Sequence, residues 1–179
     1  MIDYNGNFAW DGPATDKLIY FGGPGYEPVL GDWSATGSTK IGVYQNGTWL
    51  LDYNGNFAWD GTTTDKLLFF GGPGYTPVVG DWQGFGATAI GAHQNGTWLL
   101  DYNGSFGWDG AGTDKLIFFG GPGYIPMVGD WSGTGTSKVG AYKDGQWVLD
   151  VNGNFTWDPP TDKVIFFGGA GQMPIVGKW

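Results

Sequence analysis

The chain has no cysteine and no arginine, a single histidine, a single glutamate, and only eight basic residues against seventeen acidic ones in a length of 179. Without thiols, neither a disulfide framework nor cysteine chemistry is available. A formal charge of −9 leaves no basic surface to neutralise phosphates, which excludes nucleic acids and anionic lipid surfaces as partner classes. Long apolar runs are also missing: the longest are four residues, as in residues 18–21, so membrane insertion is not expected. The first residues do not form a charged leader followed by an apolar stretch, so no signal peptide is expected within the chain. Apolar residues nowhere keep the i, i+3, i+4, i+7 spacing over three turns, and helix content is predicted to be close to none. With no cysteine, no second histidine, and every well-placed acid belonging to a repeating turn, neither a zinc site nor a Ser-His-Asp arrangement can be assembled from unique residues, so the chain is read as non-enzymatic.

Glycine and aromatic residues are abundant: 36 glycines sit among 11 tryptophans, 9 tyrosines and 12 phenylalanines. The glycines follow no three-residue period, so neither collagen nor simple disorder fits. Internal similarity explains the composition. Asp3 recurs as Asp52, Asp101 and Asp150, and residues 3–51 and 52–100 are identical at 36 of 49 positions. The chain is thus one repeat domain, 1–179, divided into 3–51, 52–100, 101–149 and a shortened 150–179. Eleven tryptophans fill three slots: Trp10, Trp59, Trp108, Trp157; Trp33, Trp82, Trp131, Trp179; and Trp49, Trp98, Trp147.

Within a repeat, residues 41–45 and 48–53 flank Asn46-Gly47, a pair that favours positive φ at both central positions of a hairpin turn. A second Asn-Gly at 54–55 leads into a short strand or a structured loop. Residues 65–71 form a β-rich run closed by Gly-Gly-Pro-Gly-Tyr, and 77–82 open the next unit. Four short antiparallel strands per 49-residue unit predict an all-β fold of propeller type, about four repeats with the closing blade incomplete. A solenoid of stacked hairpins is the rival. The tryptophans are read as blade-to-blade packing, and His93, whose counterparts are Tyr44 and Tyr142, as a packing ring.

The segments PVLGDWSATGSTKIGVY, PVVGDWQGFGATAIGAH and PMVGDWSGTGTSKVGAY, followed by GTW or GQW and D-x-NG, resemble FG-GAP/VCBS-like repeats of integrin-type β-propellers. The resemblance covers essentially the whole chain. It implies that residues 28–33 line a central channel, that 17–21 lie at the rim, and that the parent protein is secreted or on the cell surface and serves adhesion or glycan recognition. In many members the turn after Gly-Asp carries a calcium loop. Here the later acidic positions are gone, and Lys40 and Lys138 stand where the last ligand would be, so a lysine paired with Asp32 or Asp130 is expected in place of the ion. Ala89 holds that position in the second copy, and the final copy replaces the aspartate with Lys178.

Another oxygen-rich stretch repeats four times: Asp3, Asn5, Asn7, Asp11; Asp52, Asn54, Asn56, Asp60; Asp101, Asn103, Ser105, Asp109; and Asp150, Asn152, Asn154, Asp158. Positions 1, 3, 5 and 9, with a carbonyl near 7, match the oxygen count of a Ca²⁺ loop. Phenylalanine, however, occupies the sixth position, where such loops place glycine for a sharp turn. The alternative is a hairpin turn with aspartates making local hydrogen bonds. Tyr26, Tyr75 and Tyr124, in polar Gly-Pro-Gly-Tyr connectors, are candidate contacts for a glycan or protein ligand. Residues 173–179 are expected to supply an inner strand and 2–21 the outer pieces of one blade, with the strand between them missing. That gap points to a homo-oligomer or strand exchange, and to a self-assembling scaffold as the competing reading.

Overall fold

The computed structural model describes residues 1–177; Lys178 and Trp179, which carry the substituted aspartate position and the last tryptophan of its slot, lie outside the described residues. Twelve strands form three four-stranded antiparallel sheets, and no helix occurs among the described residues. In the first sheet, β1 (Glu27–Gly31), β2 (Lys40–Gln45), β3 (Thr48–Leu51) and β4 (Lys66–Phe69) lie side by side in chain order. The second sheet repeats this with β5 (Thr76–Gly80), β6 (Ala89–Gln94), β7 (Thr97–Leu100) and β8 (Lys115–Phe118). The third contains β9 (Ile125–Gly129), β10 (Lys138–Lys143), β11 (Gln146–Leu149) and β12 (Lys163–Phe166). The 49-residue interval is kept, but each sheet straddles two of the sequence repeats counted from Asp3.

The central hairpin follows from its turn. Asn46 and Gly47 take φ of 50° and 92°, the paired positive values that let a two-residue turn match the twist of its strands. This fixes the register with Tyr44 opposite Trp49 and Gln45 opposite Thr48. Glycine is required twice over at this turn, because a Cβ on Gly47 would sit 2.9 Å from the Gly72 Cα. On β3 the alternation is plain: Trp49 and Leu51 are fully buried while Thr48 and Leu50 are half-buried.

The core lies between sheets. One cluster joins Trp33, Tyr44, Trp49 and Leu51 of the first sheet and its turn to Ile90 and Ala92 of β6. A second joins Trp82, Trp98 and Leu100 to Val139 and Ala141 of β10. No sheet can shield its apolar face alone, so each unit's stability depends on its neighbour. The first strands of the three sheets, β1, β5 and β9, neighbour one another in series. Backbone hydrogen bonds tie the units: Thr88 N–H donates to Asp32 O at 2.8 Å, and Ser137 N–H to Asp81 O at 2.7 Å.

Two sequence expectations are corrected. Residues 17–21, expected at the rim as a strand, form only a single bridge between Ile2 and Lys17. Residues 173–177, expected as an inner strand, carry no ladder. Strand geometry needs a paired neighbour for its N–H and C=O groups, and neither segment has one beyond that bridge among the described residues.

Candidate functional site

Three repeated features concentrate polar or exposed aromatic groups: the Asp32-type turns, the Asp52-type loops, and grooves between adjacent sheets.

In the first turn, Thr36 N–H and Gly37 N–H hold the two oxygens of Asp32. The Lys40 ammonium reaches Asp32 Oδ1 at 2.9 Å, Ser34 Oγ at 2.8 Å and Thr36 Oγ1 at 2.7 Å. Burial raises the Asp32 pKa, but the two N–H donors and Lys40 outweigh it and hold the carboxyl well below the usual carboxylate range. Lys138 closes the third turn in the same way, 3.0 Å from Asp130 Oδ1. The lysine expected from spacing is therefore in place in both turns that contain it.

In each loop the first aspartate anchors the chain. Asp52 is fully buried and accepts N–H bonds from Gly55, Asn56 and Phe57 at 2.8, 3.2 and 2.9 Å. Asp65, also fully buried, accepts Tyr53 N–H and Asp60 N–H at 2.9 and 2.7 Å. Asn54 and Asn56 side chains both donate to Asp60 Oδ2. The stretch is thus a structured loop, and its sixth residue has the conformation that glycine usually supplies: Phe8, Phe57, Phe106 and Phe155 have φ between 63° and 67°. Packing holds three of them there, since Phe57 meets Tyr4 edge-on at 6.2 Å, Phe106 meets Tyr53 at 6.0 Å and Phe155 meets Tyr102 at 5.9 Å. Phenylalanine thus takes the left-handed conformation that calcium loops assign to glycine, and the aspartates make the local hydrogen bonds of the alternative reading.

These loops bury carboxylates in pairs without a basic partner. Asp52 with Asp65, Asp101 with Asp114 and Asp150 with Asp162 are all buried, and none of them makes an ion pair among the described residues. Lys66 and Lys115 lie beside Asp65 and Asp114 in sequence, yet their ammonium groups sit over the rings of Tyr53 and Tyr102. Burial pushes Asp101 up to about 6, against the N–H bonds of Phe106 and Ser105, with the Asp114 charge adding to the rise. Asp150 moves in the same direction, for burial first and the Asp162 charge among the further causes. The donor set is all oxygen, suited to a hard cation. Among the described residues no group of three or more His, Cys, Asp and Glu is placed to hold a metal, so amide and carbonyl oxygens would have to complete any such shell.

The third feature was not foreseen. Four tryptophans, Trp10, Trp59, Trp108 and Trp157, are 39–43% exposed, whereas Trp33, Trp49, Trp82 and Trp98 are buried. All four buried indoles donate N–H to a backbone carbonyl, Trp49 to Phe70 O and Trp98 to Phe119 O, both at 3.0 Å. The four exposed indoles make no such bond among the described residues. Trp108 stands 6.2 Å from Phe70 and lines a groove of about 580 Å³ with Phe69, Leu99 and Gly71–Pro73 backbone. One unit on, Trp157 stands 6.4 Å from Phe119 in a groove of about 440 Å³ with Phe118, Val148 and Val164. Trp59 makes the same contact with Phe21 at 6.4 Å. The only sequence signal for the division was position: this slot follows a loop, and the buried slots lie in or next to strands.

The connector tyrosines are half-buried. Tyr75 and Tyr124 pack on the inter-sheet cores, and Tyr124 donates its hydroxyl to Gln146 Oε1 at 2.6 Å. His93 is buried and accepts Gly96 N–H on Nε2 at 3.0 Å. Comparison of the chain with known protein families, curated proteins and solved structures returns no match.

Proposed function

We propose that the chain is a non-catalytic binding module of the β-propeller type, part of an extracellular or cell-surface protein, and that its inter-sheet grooves hold a glycan. The observation that carries this reading is the set of half-exposed tryptophans, one per unit, whose indole N–H groups make no hydrogen bond among the described residues; three of them, Trp59, Trp108 and Trp157, stand beside a phenylalanine. An indole offers an apolar face for the C–H side of a sugar ring and a donor for its hydroxyls. Shallow sites repeated at a fixed interval on a rigid scaffold gain strength by engaging together. The resemblance of the repeats to FG-GAP/VCBS-like sequences supports radial stacking of the sheets, as does the serial contact of β1, β5 and β9. A glycan array probed with the protein and with the double variant Trp108→Ala, Trp157→Ala tests it. Binding lost in the variant with folding retained supports the reading. Equal binding by both proteins removes the grooves from it, and no binding by either, with defined multimers in solution, favours a self-assembling scaffold.

A second reading concerns the loops: Ca²⁺ supplies the counter-charge that the buried carboxylate pairs lack. Buried charges are paired or coordinate metals, and these have no basic partner within the loops. Asp52, Asn54, Asn56 and Asp60, and their counterparts in the other three copies, would hold the ion, with the Asn54 and Asn56 amides turned from donating N–H to Asp60 to presenting their oxygens. A melting temperature that falls with chelator and recovers with CaCl₂ supports it, and an unchanged melting curve overturns it.

A further inference from the structure

The second turn lacks the lysine that fills the first and third, and the space that lysine would occupy is still there. In the first turn the Lys40 stem passes over Gly55, so that a Cβ added to Gly55 would come 3.2 Å from Lys40 Cε. In the third turn, Lys138 passes over Gly153 at 3.3 Å. Both lysines are buried. In the second turn the corresponding residue is Ala89, and the corresponding glycine, Gly104, has nothing within 4 Å of where its Cβ would be. A cavity of about 100 Å³ occupies this place, lined by Ala89, Gly104, Tyr102, Gln83, Ala87 and Asp81 among others.

The carboxylate at the end of the cavity keeps the two backbone donors of the lysine-filled turns and gains a third, Gly84 N–H, on Oδ1 at 2.8 Å. Phe85 N–H donates to Asp81 Oδ1 at 2.9 Å and Gly86 N–H to Oδ2 at 2.7 Å. The matching donors in the other turns are Thr36 and Gly37, and Thr134 and Gly135. In those turns the lysine ammonium contacts the same oxygen, Oδ1, that Phe85 contacts here. Gln83 replaces Ser34; its amide nitrogen donates to Tyr102 O at 2.6 Å, which leaves its oxygen as an acceptor. The Ala87 carbonyl matches the Thr136 carbonyl that Lys138 contacts at 3.1 Å.

We infer that the second turn is a binding site for a primary alkylammonium group, with the ammonium at Asp81 and a short alkyl stem against Ala89 and Gly104. The chain places its own lysine in the equivalent space twice, there with hydroxyls of Thr36, or of Thr134 and Thr136, as further acceptors that Phe85 and Ala87 do not supply. The ligand is a free amine or the side chain of a lysine on another polypeptide. This inference uses neither the tryptophan grooves nor the Asp52-type loops and stands or falls apart from them.

Backbone amide NMR of the full chain, titrated with n-butylammonium chloride, tests it against sodium chloride and n-butanol at equal concentration. The expected result is a saturable shift confined to the amides of residues 81–89 and 104, absent with either control. Ala89→Lys is expected to raise the melting temperature and abolish the response by filling the cavity from within. Ala89→Leu fills it without charge and is expected to abolish the response as well, which keeps the test decisive if one variant fails to fold. Titration with Nα-acetyl-lysine methylamide separates the two sources: a matching response assigns peptide lysine, and a response to n-butylammonium alone assigns a free amine. A response no larger than that to sodium chloride, or one retained when the cavity is filled, overturns the inference.

Discussion

Replacing His93 with tyrosine is expected to remove an acid-sensitive weakness that the second unit has and its neighbours lack. His93 is 4% exposed, its ring centroid is 4.7 Å from that of Trp98, and Nε2 accepts the Gly96 N–H. Protonation would place a charge in the inter-sheet core and turn an acceptor into a donor that faces another donor. Burial accordingly lowers the His93 pKa from 6.5 to about 4. Because the folded value lies below the unfolded one, the unfolded chain takes up the proton first. Stability therefore falls as pH drops below 6.5, and the loss levels off once pH passes the folded value. At pH 5 the linkage amounts to about 2 kcal/mol. Tyr44 and Tyr142, in the equivalent slots, donate their hydroxyls to Gly72 O and Gly169 O at 2.9 Å. His93→Tyr should match the parent at pH 7.5 or exceed it, and should gain about 2 kcal/mol on it at pH 5. Urea unfolding of both proteins at the two pH values measures the gap, and the carboxylates they share cancel in the difference. An equal gap at pH 5 and pH 7.5 would refute the reasoning.

Three further outcomes follow from the same geometry. Lys40→Met should destabilise the chain by about 2 kcal/mol in urea unfolding, because Asp32 keeps its N–H donors and loses its ammonium, and an unchanged midpoint would contradict the pairing. Gly96→Ala should cost well over the roughly 1 kcal/mol expected for Gly86→Ala: both have positive φ, but only at Gly96 would the Cβ meet backbone, 2.8 Å from Gly121 Cα. Trp98→Ala should cost about 4 kcal/mol while Trp108→Ala costs about 1 kcal/mol, since only the first empties a sealed core; equal losses in thermal unfolding would place Trp108 in the core as well.

The hairpins were legible because Asn-Gly dictates its own turn, and the register of β2 with β3 follows from it. The Asp32–Lys40 pair was legible as well, because a lysine at the last ligand position of a metal-loop pattern has one obvious carboxylate to meet. The fate of the tryptophans was not. Trp49 and Trp59 are equally apolar, and what separates them is the next sheet: Trp49 lies on a strand that a neighbour covers, while Trp59 follows a loop at the margin of that contact. Phe57 was misjudged for a related reason. Its positive φ is held by Tyr4, a residue one repeat away, and local propensity contains no trace of that partner. The open slot beside Ala89 emerges only when Gly104 is compared with Gly55 and Gly153 in space.

The reading of the grooves as the binding surface is tested most directly by the indole N–H signals of the ¹⁵N-labelled protein during titration with soluble gluco-, manno- and chito-oligosaccharides. The account predicts that the signals of Trp59, Trp108 and Trp157 shift with at least one of these sugars while those of Trp33, Trp49, Trp82 and Trp98 stay in place. Shifts confined to the buried set, or an indole region unmoved by every sugar, would contradict it.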